Sequence, residues 1–239
     1  MITLELAKEK RTGIIKILLL TGIIGAFYIL LNYKVRGEAL LSLPLPPMDV
    51  LLTQLYGMIM ILNMFAIIVA TCIAFNMEYS GFAIRKMYML PTVLWKIYMA
   101  KFLIIMVMFF FAVVMQSTAL AWIGFTKLEG GIFQMEMLLK YSLYTFITSL
   151  PVLSFMLLIS SAIDKLWISL GIGVAGFLSA MALSQTTSPI FMLHPYLLMF
   201  KPAMGQTAEI NAYTIIVSLI ETGIYFLIGT ILLERKNIE

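Results

Sequence analysis

Glu221 is the residue whose type and position most suggest chemistry, because it falls midway along the last apolar run, within "VSLIETGIYFL". An ionised carboxylate is costly inside a bilayer and usually faces other helices or water. Two roles are therefore open for Glu221. It lines a polar path for a substrate or a proton, or it is a hydrogen-bonded residue that packs the last span against a neighbouring helix. Asn63 and Gln116 also fall inside apolar runs, and they are further candidates for a translocation path.

Motifs for catalysis and for metal binding are absent from the sequence. It has no glycine-rich phosphate loop ending in Gly-Lys-Ser/Thr, no HExxH and no GxSxG. The sequence therefore lacks the motifs needed for nucleotide hydrolysis and for the familiar metal-dependent or serine-dependent hydrolyses. His194 is the only histidine and Cys72 the only cysteine. We accordingly predict that the chain is not an enzyme and has no catalytic residue, no metal site and no cofactor of its own.

The composition indicates an integral membrane protein. Hydrophobic residues make up 62% of the 239 positions and charged residues 12%, with a mean hydropathy of +1.02. A soluble globule usually has about a quarter of its residues charged. The basic residues lie near segment ends rather than on one face, so a nucleic-acid partner is not indicated.

Six stretches are long enough to cross a hydrocarbon core, which takes roughly 20 mostly apolar residues in a helix. Barrel strands would alternate in polarity, unlike "FLIIMVMFFFAVVM". We predict an all-α polytopic membrane protein with a single membrane domain over 1–239. Residues 1–12 are either a short helix on the membrane surface or a frayed polar tail. The spans are predicted at about 13–33, 50–77, 98–125, 137–161, 167–184 and 212–233.

The distribution of lysine and arginine predicts that both termini are cytoplasmic, because cytoplasmic loops are enriched in these residues. In that orientation eleven of the sixteen basic residues lie on the inner side and five on the outer side. The connection between spans five and six is then external. It is apolar but interrupted by Pro189, Pro195 and Pro202, which predicts a short re-entrant or interfacial helical element.

The connection between spans two and three contains a short amphipathic segment, "EYSGFAIRKMYMLP". Its aromatic and aliphatic residues fall mostly on one side of a helical wheel, while Glu78 and Arg85 fall on the other. Pro91 would end this helix near Leu90. The segment is either a surface helix that turns the chain or a docking element for a partner protein.

This pattern resembles the permease subunits of ABC-2 type ABC transporters. The shared features are six spans, an acidic residue leaving span two, an amphipathic helix ending in Leu-Pro, and a lysine opening span three. The segment from Glu78 to Lys101 looks most like the permeases of lantibiotic immunity exporters in Gram-positive bacteria. The resemblance implies a multi-pass protein of the bacterial cytoplasmic membrane that expels a lantibiotic or a similar amphipathic antimicrobial peptide.

The resemblance also implies partners. A separate cytoplasmic ABC ATPase dimer would bind ATP and Mg, and a second permease, identical or homologous, would complete the transport path. The amphipathic segment would be the coupling helix that docks on the ATPase, through Glu78, Tyr79, Phe82, Arg85, Lys86, Leu90 and Pro91. The alternative is a self-contained secondary transporter that uses Glu221 as a proton site. The predicted outer loops carry equal numbers of acidic and basic residues, so their charge does not identify the substrate.

Overall fold

The structure is a computed structural model that describes residues 2–79, 94–128, 132–184, 193–205 and 207–235. Within these ranges every regular element is helical. The elements are α1 (Ile2–Thr12), α2 (Ile14–Leu41), α3 (Pro47–Asp49), a π-helical turn (Val50–Gln54), α4 (Gly57–Tyr79), α5 (Leu94–Lys127), α6 (Met135–Ala162), α7 (Leu166–Leu183), α8 (Pro195–Met204) and α9 (Ala212–Arg235).

Within the described residues, six helical stretches are long and apolar enough to cross a membrane, which confirms the predicted all-α polytopic fold with six spans. An apolar chain in a bilayer has to satisfy its backbone polar groups internally, and a helix does this within one segment. Several helices extend beyond the predicted apolar cores: α2, for example, continues to Leu41. The spanning stretches are α2, Pro47–Tyr79, α5, α6, α7 and α9.

The segment before the first span is a helix rather than a frayed tail. α1 is separated from α2 by a single residue, Gly13, whose φ of 85° lies in the left-handed region. Thr12 supports the junction because its hydroxyl accepts a hydrogen bond from the Ile14 amide at 3.3 Å. The two helices therefore meet at a one-residue joint. Contact of α1 with a membrane surface stays a prediction.

The predicted helical element between spans five and six is confirmed as α8. It begins at Pro195 and is buried along most of its length, with Tyr196 only 1% exposed. The Tyr196 ring lies against Gly176 of α7, where a Cβ atom would come within 2.4 Å of it. Tyr141 of α6 donates a hydrogen bond to the Pro202 carbonyl. These contacts hold α8 among the spans rather than in a peripheral loop.

Both terminal helices meet the same end of the bundle. The C-terminal half of α9 packs on the start of α5, where the Tyr98 and Phe226 rings are 5.5 Å apart. Gly229 permits this approach, because a Cβ atom there would lie 2.3 Å from the Tyr98 hydroxyl. At the opposite end, the Asp49 carboxylate accepts a hydrogen bond from the Ala208 amide at 3.0 Å. The end that holds α1 also carries the residues on either side of 80–93.

Candidate functional site

Five charged side chains form a cluster where α1 meets the end of α4 and the start of α5. The Lys101 ammonium lies 3.2 Å from Glu5 Oε2, 3.0 Å from Glu9 Oε1 and 3.1 Å from Glu78 Oε1. Lys8 lies at the rim, 2.9 Å from Glu5 Oε1 and 3.2 Å from Glu78 Oε1. We refer to Glu5, Lys8, Glu9, Glu78 and Lys101 together as the Lys101 cluster.

Helix geometry explains how the Lys101 cluster forms. Glu5 and Glu9 are four residues apart in α1, so both project from the same face of the helix. Glu78 is in the last turn of α4, and Lys101 is in the second turn of α5. The Lys101 ammonium also lies 5.7 Å from the centroid of the Phe75 ring, one turn before Glu78. One lysine therefore joins three helices.

The Lys101 cluster is buried although it is highly charged. Lys101 and Glu9 are each 1% exposed, and Glu78 is 4% exposed. Buried charges are tolerated when they are paired and hydrogen-bonded. Burial raises the pKa of Glu9, and the nearby Lys101 charge opposes this effect only in part. Burial lowers the pKa of Lys8, but the carboxylates of Glu5 and Glu78 outweigh it, so the net shift is upward.

With three carboxylates and two ammonium groups, the Lys101 cluster carries a formal charge of −1 when all its members are ionised. The Lys101 ammonium lies among the three carboxylates, so opposite charges from α1, α4 and α5 face each other within this buried site.

A second buried polar group joins α2, α4 and α5. The side-chain amides of Asn63 and Gln116 form two reciprocal hydrogen bonds, of 2.9 and 2.8 Å. Gln116 Nε2 also reaches the Thr21 carbonyl at 3.4 Å, and the Tyr56 hydroxyl reaches Gln116 Oε1 at the same distance. Gln116 is fully buried and Asn63 is 2% exposed. The fold thus brings these two predicted path residues together, with each amide bound by the other.

Glu221 lies apart from that pair, among the buried residues of α9. It is 4% exposed, and neither carboxylate oxygen has a hydrogen-bond partner among the described residues. Thr214 and Ser218 precede it on the same buried stripe, and the Ser218 hydroxyl is bound to the Thr214 carbonyl at 2.7 Å. An ionised carboxylate without such a partner is costly to bury. Glu221 is therefore a buried acid whose hydrogen-bonding capacity is unused.

A family model described as ABC-2 family transporter protein matches residues 1–180. The chain belongs to the ABC-2 transporter family. No curated protein and no solved structure matches the sequence. Members of this family are membrane transport components that are not themselves catalytic and that work with ABC ATPase partners. The chain is accordingly a multi-pass membrane permease, and its matched range includes the whole Lys101 cluster and both Asn63 and Gln116.

The predicted coupling residues of this ABC-2 permease fall partly within the described structure. The Glu78 carboxylate faces Lys8 and Lys101, and the Tyr79 hydroxyl donates a hydrogen bond to the Ser161 carbonyl at the end of α6. Docking of these residues on an ATPase stays a prediction. The remaining members of the predicted set lie outside the described residues: Phe82, Arg85, Lys86, Leu90 and Pro91.

Sequence reasoning did not identify the permease's Lys101 cluster. The sequence places Lys101 at the predicted cytoplasmic face, as the lysine that opens span three, and it predicts no role for Glu5 and Glu9. Two signals were available in the sequence: glutamates spaced by four residues in the N-terminal segment, and a lysine directly before the run "FLIIMVMFFF". The identity of their partners could not be read from spacing, because the pairing joins residues 92 positions apart.

Proposed function

We propose that this ABC-2 permease is the membrane-spanning subunit of an ATP-driven exporter in the bacterial cytoplasmic membrane. Its substrate would be a lantibiotic or a similar amphipathic antimicrobial peptide, and export would protect the producing cell. The observation that carries the transporter assignment is the family match over residues 1–180. The substrate class is supported by the resemblance of Glu78–Lys101 to immunity permeases.

Both termini are proposed to be cytoplasmic. The predicted inner side carries eleven of the sixteen lysine and arginine residues. In the fold, α1 and the C-terminal end of α9 share one end of the bundle with the residues that flank 80–93. If this end of the bundle faces the cytoplasm, the N-terminal helix, the C-terminal helix and the connection between α4 and α5 all agree with the enrichment of lysine and arginine on the cytoplasmic side.

Residues 80–93 are proposed to contain the coupling helix that docks on a cytoplasmic ABC ATPase dimer. Phe82, Arg85 and Lys86 would make the contact, and Leu90 and Pro91 would end the helix. ATP and Mg would bind to the ATPase, and closure of its two subunits would move the docked segment together with the ends of α4 and α5. Glu78 and Tyr79 would connect the moving segment to α1, α5 and α6 through the contacts described above.

The transport path is proposed to form between this permease and a second permease, identical or homologous. Glu221, Asn63 and Gln116 are the candidates to line it. In the described conformation the amides of Asn63 and Gln116 bind each other, so α4 and α5 would have to separate before either amide contacts a substrate. Glu221 has unused hydrogen-bonding capacity and could contact a cationic group without breaking an existing bond.

The test is purification of the tagged permease from its native host in mild detergent, with mass spectrometry of bound proteins and an ATPase assay. We expect an ABC ATPase in the eluate, and peptide-stimulated hydrolysis. Phe82→Asp and Arg85→Glu should weaken this assembly without changing membrane insertion. Lys34→Glu, a charge reversal near the opposite end of the bundle, is the matched control. A permease recovered alone in several detergents, with substrate-driven proton flux that needs Glu221, would instead establish a secondary transporter.

A further inference from the structure

The Lys101 cluster lies at the two helix ends that carry residues 80–93, and this position has a mechanical consequence. Resting on the proposed exporter function, we propose that Lys101 is a positioning residue for energy coupling. It fastens α1 to the ends of α4 and α5, so that α1 moves as one unit with the segment that receives the motion of the ATPase. The N-terminal helix is then part of the coupling apparatus rather than a passive leader to the first span.

The first argument is the connectivity of the ion pairs. Lys101 on α5 lies within 3.2 Å of carboxylates from both α1 and α4. By contrast, the ion pair between Glu136 and Lys140 is internal to α6. Lys101 therefore links α1, α4 and α5 at one point of the bundle.

The second argument concerns the strength of the tie. The exposed fraction of the Lys101 side chain is 2%, and those of Glu5, Glu9 and Glu78 are 5% or less. Ion pairs between exposed residues contribute little, because water and salt screen them. A buried, hydrogen-bonded pair is costly to separate, because each charge would be left without its partner. α1 is thus held more firmly than a surface helix would be by exposed lysine and glutamate pairs.

The third argument is the joint between α1 and α2. Gly13 has a positive φ, and the space where its Cβ atom would lie is open to 4 Å. Because one residue links the two helices, the covalent connection does not by itself fix the direction of α1. The orientation of α1 depends on its contacts with the bundle, among which the Lys101 cluster is charged and buried. Releasing Lys101 should therefore release α1 from α4 and α5 while α2 stays in place.

The experiment compares the amount of substrate exported per ATP hydrolysed in the reconstituted full complex. Lys101→Met should lower this ratio by about tenfold, within the usual range of coupling between sites. Lys101→Arg keeps the charge and should restore most of the ratio. Lys10→Met removes an exposed lysine of α1 that has no ion pair among the described residues, and it should leave the ratio unchanged.

A second variant covers the case in which Lys101→Met does not fold. Lys101→Met combined with Glu5→Gln, Glu9→Gln and Glu78→Gln removes the buried charges together, which is far less disruptive than removing one partner. We expect this combined variant to insert but to export with the same lowered ratio; because Glu78 is also a predicted docking residue, Glu78→Gln alone is the control for ATPase binding. A wild-type ratio in the folded combined variant would show that the Lys101 cluster is only a structural tie.

The position of α1 provides an independent readout. Spin labels at Lys10→Cys in α1 and Met99→Cys in α5, in a Cys72→Ala background, report the distance between the two helices. Loss of Lys101 should broaden and lengthen this distance, and an unchanged distance would overturn the proposal. Failure of the Lys101 proposal can be distinguished from failure of the exporter assignment. If the exporter assignment is wrong, the wild-type permease itself will neither bind an ATPase nor export in an ATP-dependent manner.

Discussion

The ammonium of Lys101, at the start of α5, lies 3.0 Å from the carboxylate of Glu9 in α1, across 92 positions of sequence. This contact docks the N-terminal helix on the bundle, whereas the sequence leaves open whether residues 1–12 form a surface helix or a frayed tail. It also places a buried lysine directly beside the connection that, in this ABC-2 permease, is proposed to receive the motion of an ATPase.

Lys101→Met alone should strongly destabilise the permease, because three carboxylates would remain in a buried site with only Lys8 at its rim. Removing one partner of a buried ion pair typically costs about 3 to 5 kcal/mol. Thermal unfolding in detergent should therefore show a clearly lower midpoint for this variant. The combined charge-removing variant described above should recover most of the loss. Equal midpoints for wild type and Lys101→Met would contradict the buried pairing.

The amides of Asn63 and Gln116 should be energetically coupled. Asn63→Leu or Gln116→Leu alone leaves a buried amide without its partner, which costs about 1 to 3 kcal/mol. The double variant removes both polar groups and should lose less than the sum of the two single changes. A double-mutant cycle on unfolding midpoints measures this coupling. Strict additivity would mean that the two side chains do not pair in the membrane.

Gly229 and Gly223 form a matched pair of positions in α9. Gly229→Ala would place a Cβ atom 2.3 Å from the Tyr98 hydroxyl, whereas nothing lies within 4 Å of the corresponding position at Gly223. We expect Gly229→Ala to lower the unfolding midpoint and the folded yield. Gly223→Ala should be neutral or slightly stabilising, because alanine favours a helix over glycine by about 1 kcal/mol. Two equal effects would show that α9 does not pack on α5 as described.

The contribution of Glu9 to the docking of α1 should weaken as the pH rises. The pKa of Glu9 lies above its ordinary value of 4.5 because of burial, so the folded state binds a proton more tightly than the unfolded state. The resulting stabilisation is complete below the ordinary pKa and is lost as the pH rises through the raised value. The groups that face Glu9 are Lys101, Glu5 and Glu78, with Lys8 at the rim. Burial would raise the pKa of Glu78, but the charges of Lys101 and Lys8 outweigh it, so the contribution of Glu78 has the opposite sign and is lost as the pH falls.

The distance between spin labels on α1 and α5 measures this pH dependence. The distance distribution should broaden in the wild-type permease as the pH is raised from below 4.5, the ordinary pKa of Glu9. Glu9→Gln is neutral at every pH and leaves two carboxylates against two lysines, so it should flatten the response. A pH dependence that persists unchanged in Glu9→Gln would assign the titration to another group.

Glu221→Gln separates a path role from a packing role. The substitution keeps the size of the side chain and removes its charge. We expect peptide export to fall while the amount of folded permease in the membrane stays normal, because an amide would bind a cationic substrate less well. Export and abundance are measured in the same cells. Loss of abundance in parallel with export would assign Glu221 to the contact between α9 and α6.

The sequence by itself determined the features that depend on local composition. Six apolar runs of sufficient length specify six spanning helices, because a bilayer of fixed thickness demands about 20 apolar residues and an internally satisfied backbone. The proline-interrupted connection before α9 likewise predicted the helical element found at Pro195–Met204. The coupling assignment for residues 80–93 remains a prediction, since that segment lies outside the described residues.

Only the tertiary structure decided which polar residues meet. In the sequence, Asn63, Gln116 and Glu221 are all candidates for the transport path, yet the first two bind each other and the third has no hydrogen-bond partner among the described residues. Lys101 looked like an ordinary flanking lysine, yet it is buried among three glutamates from two other helices. The physical reason is that helix formation depends on local sequence, whereas pairing depends on the relative rotation and depth of helices that are distant in the chain.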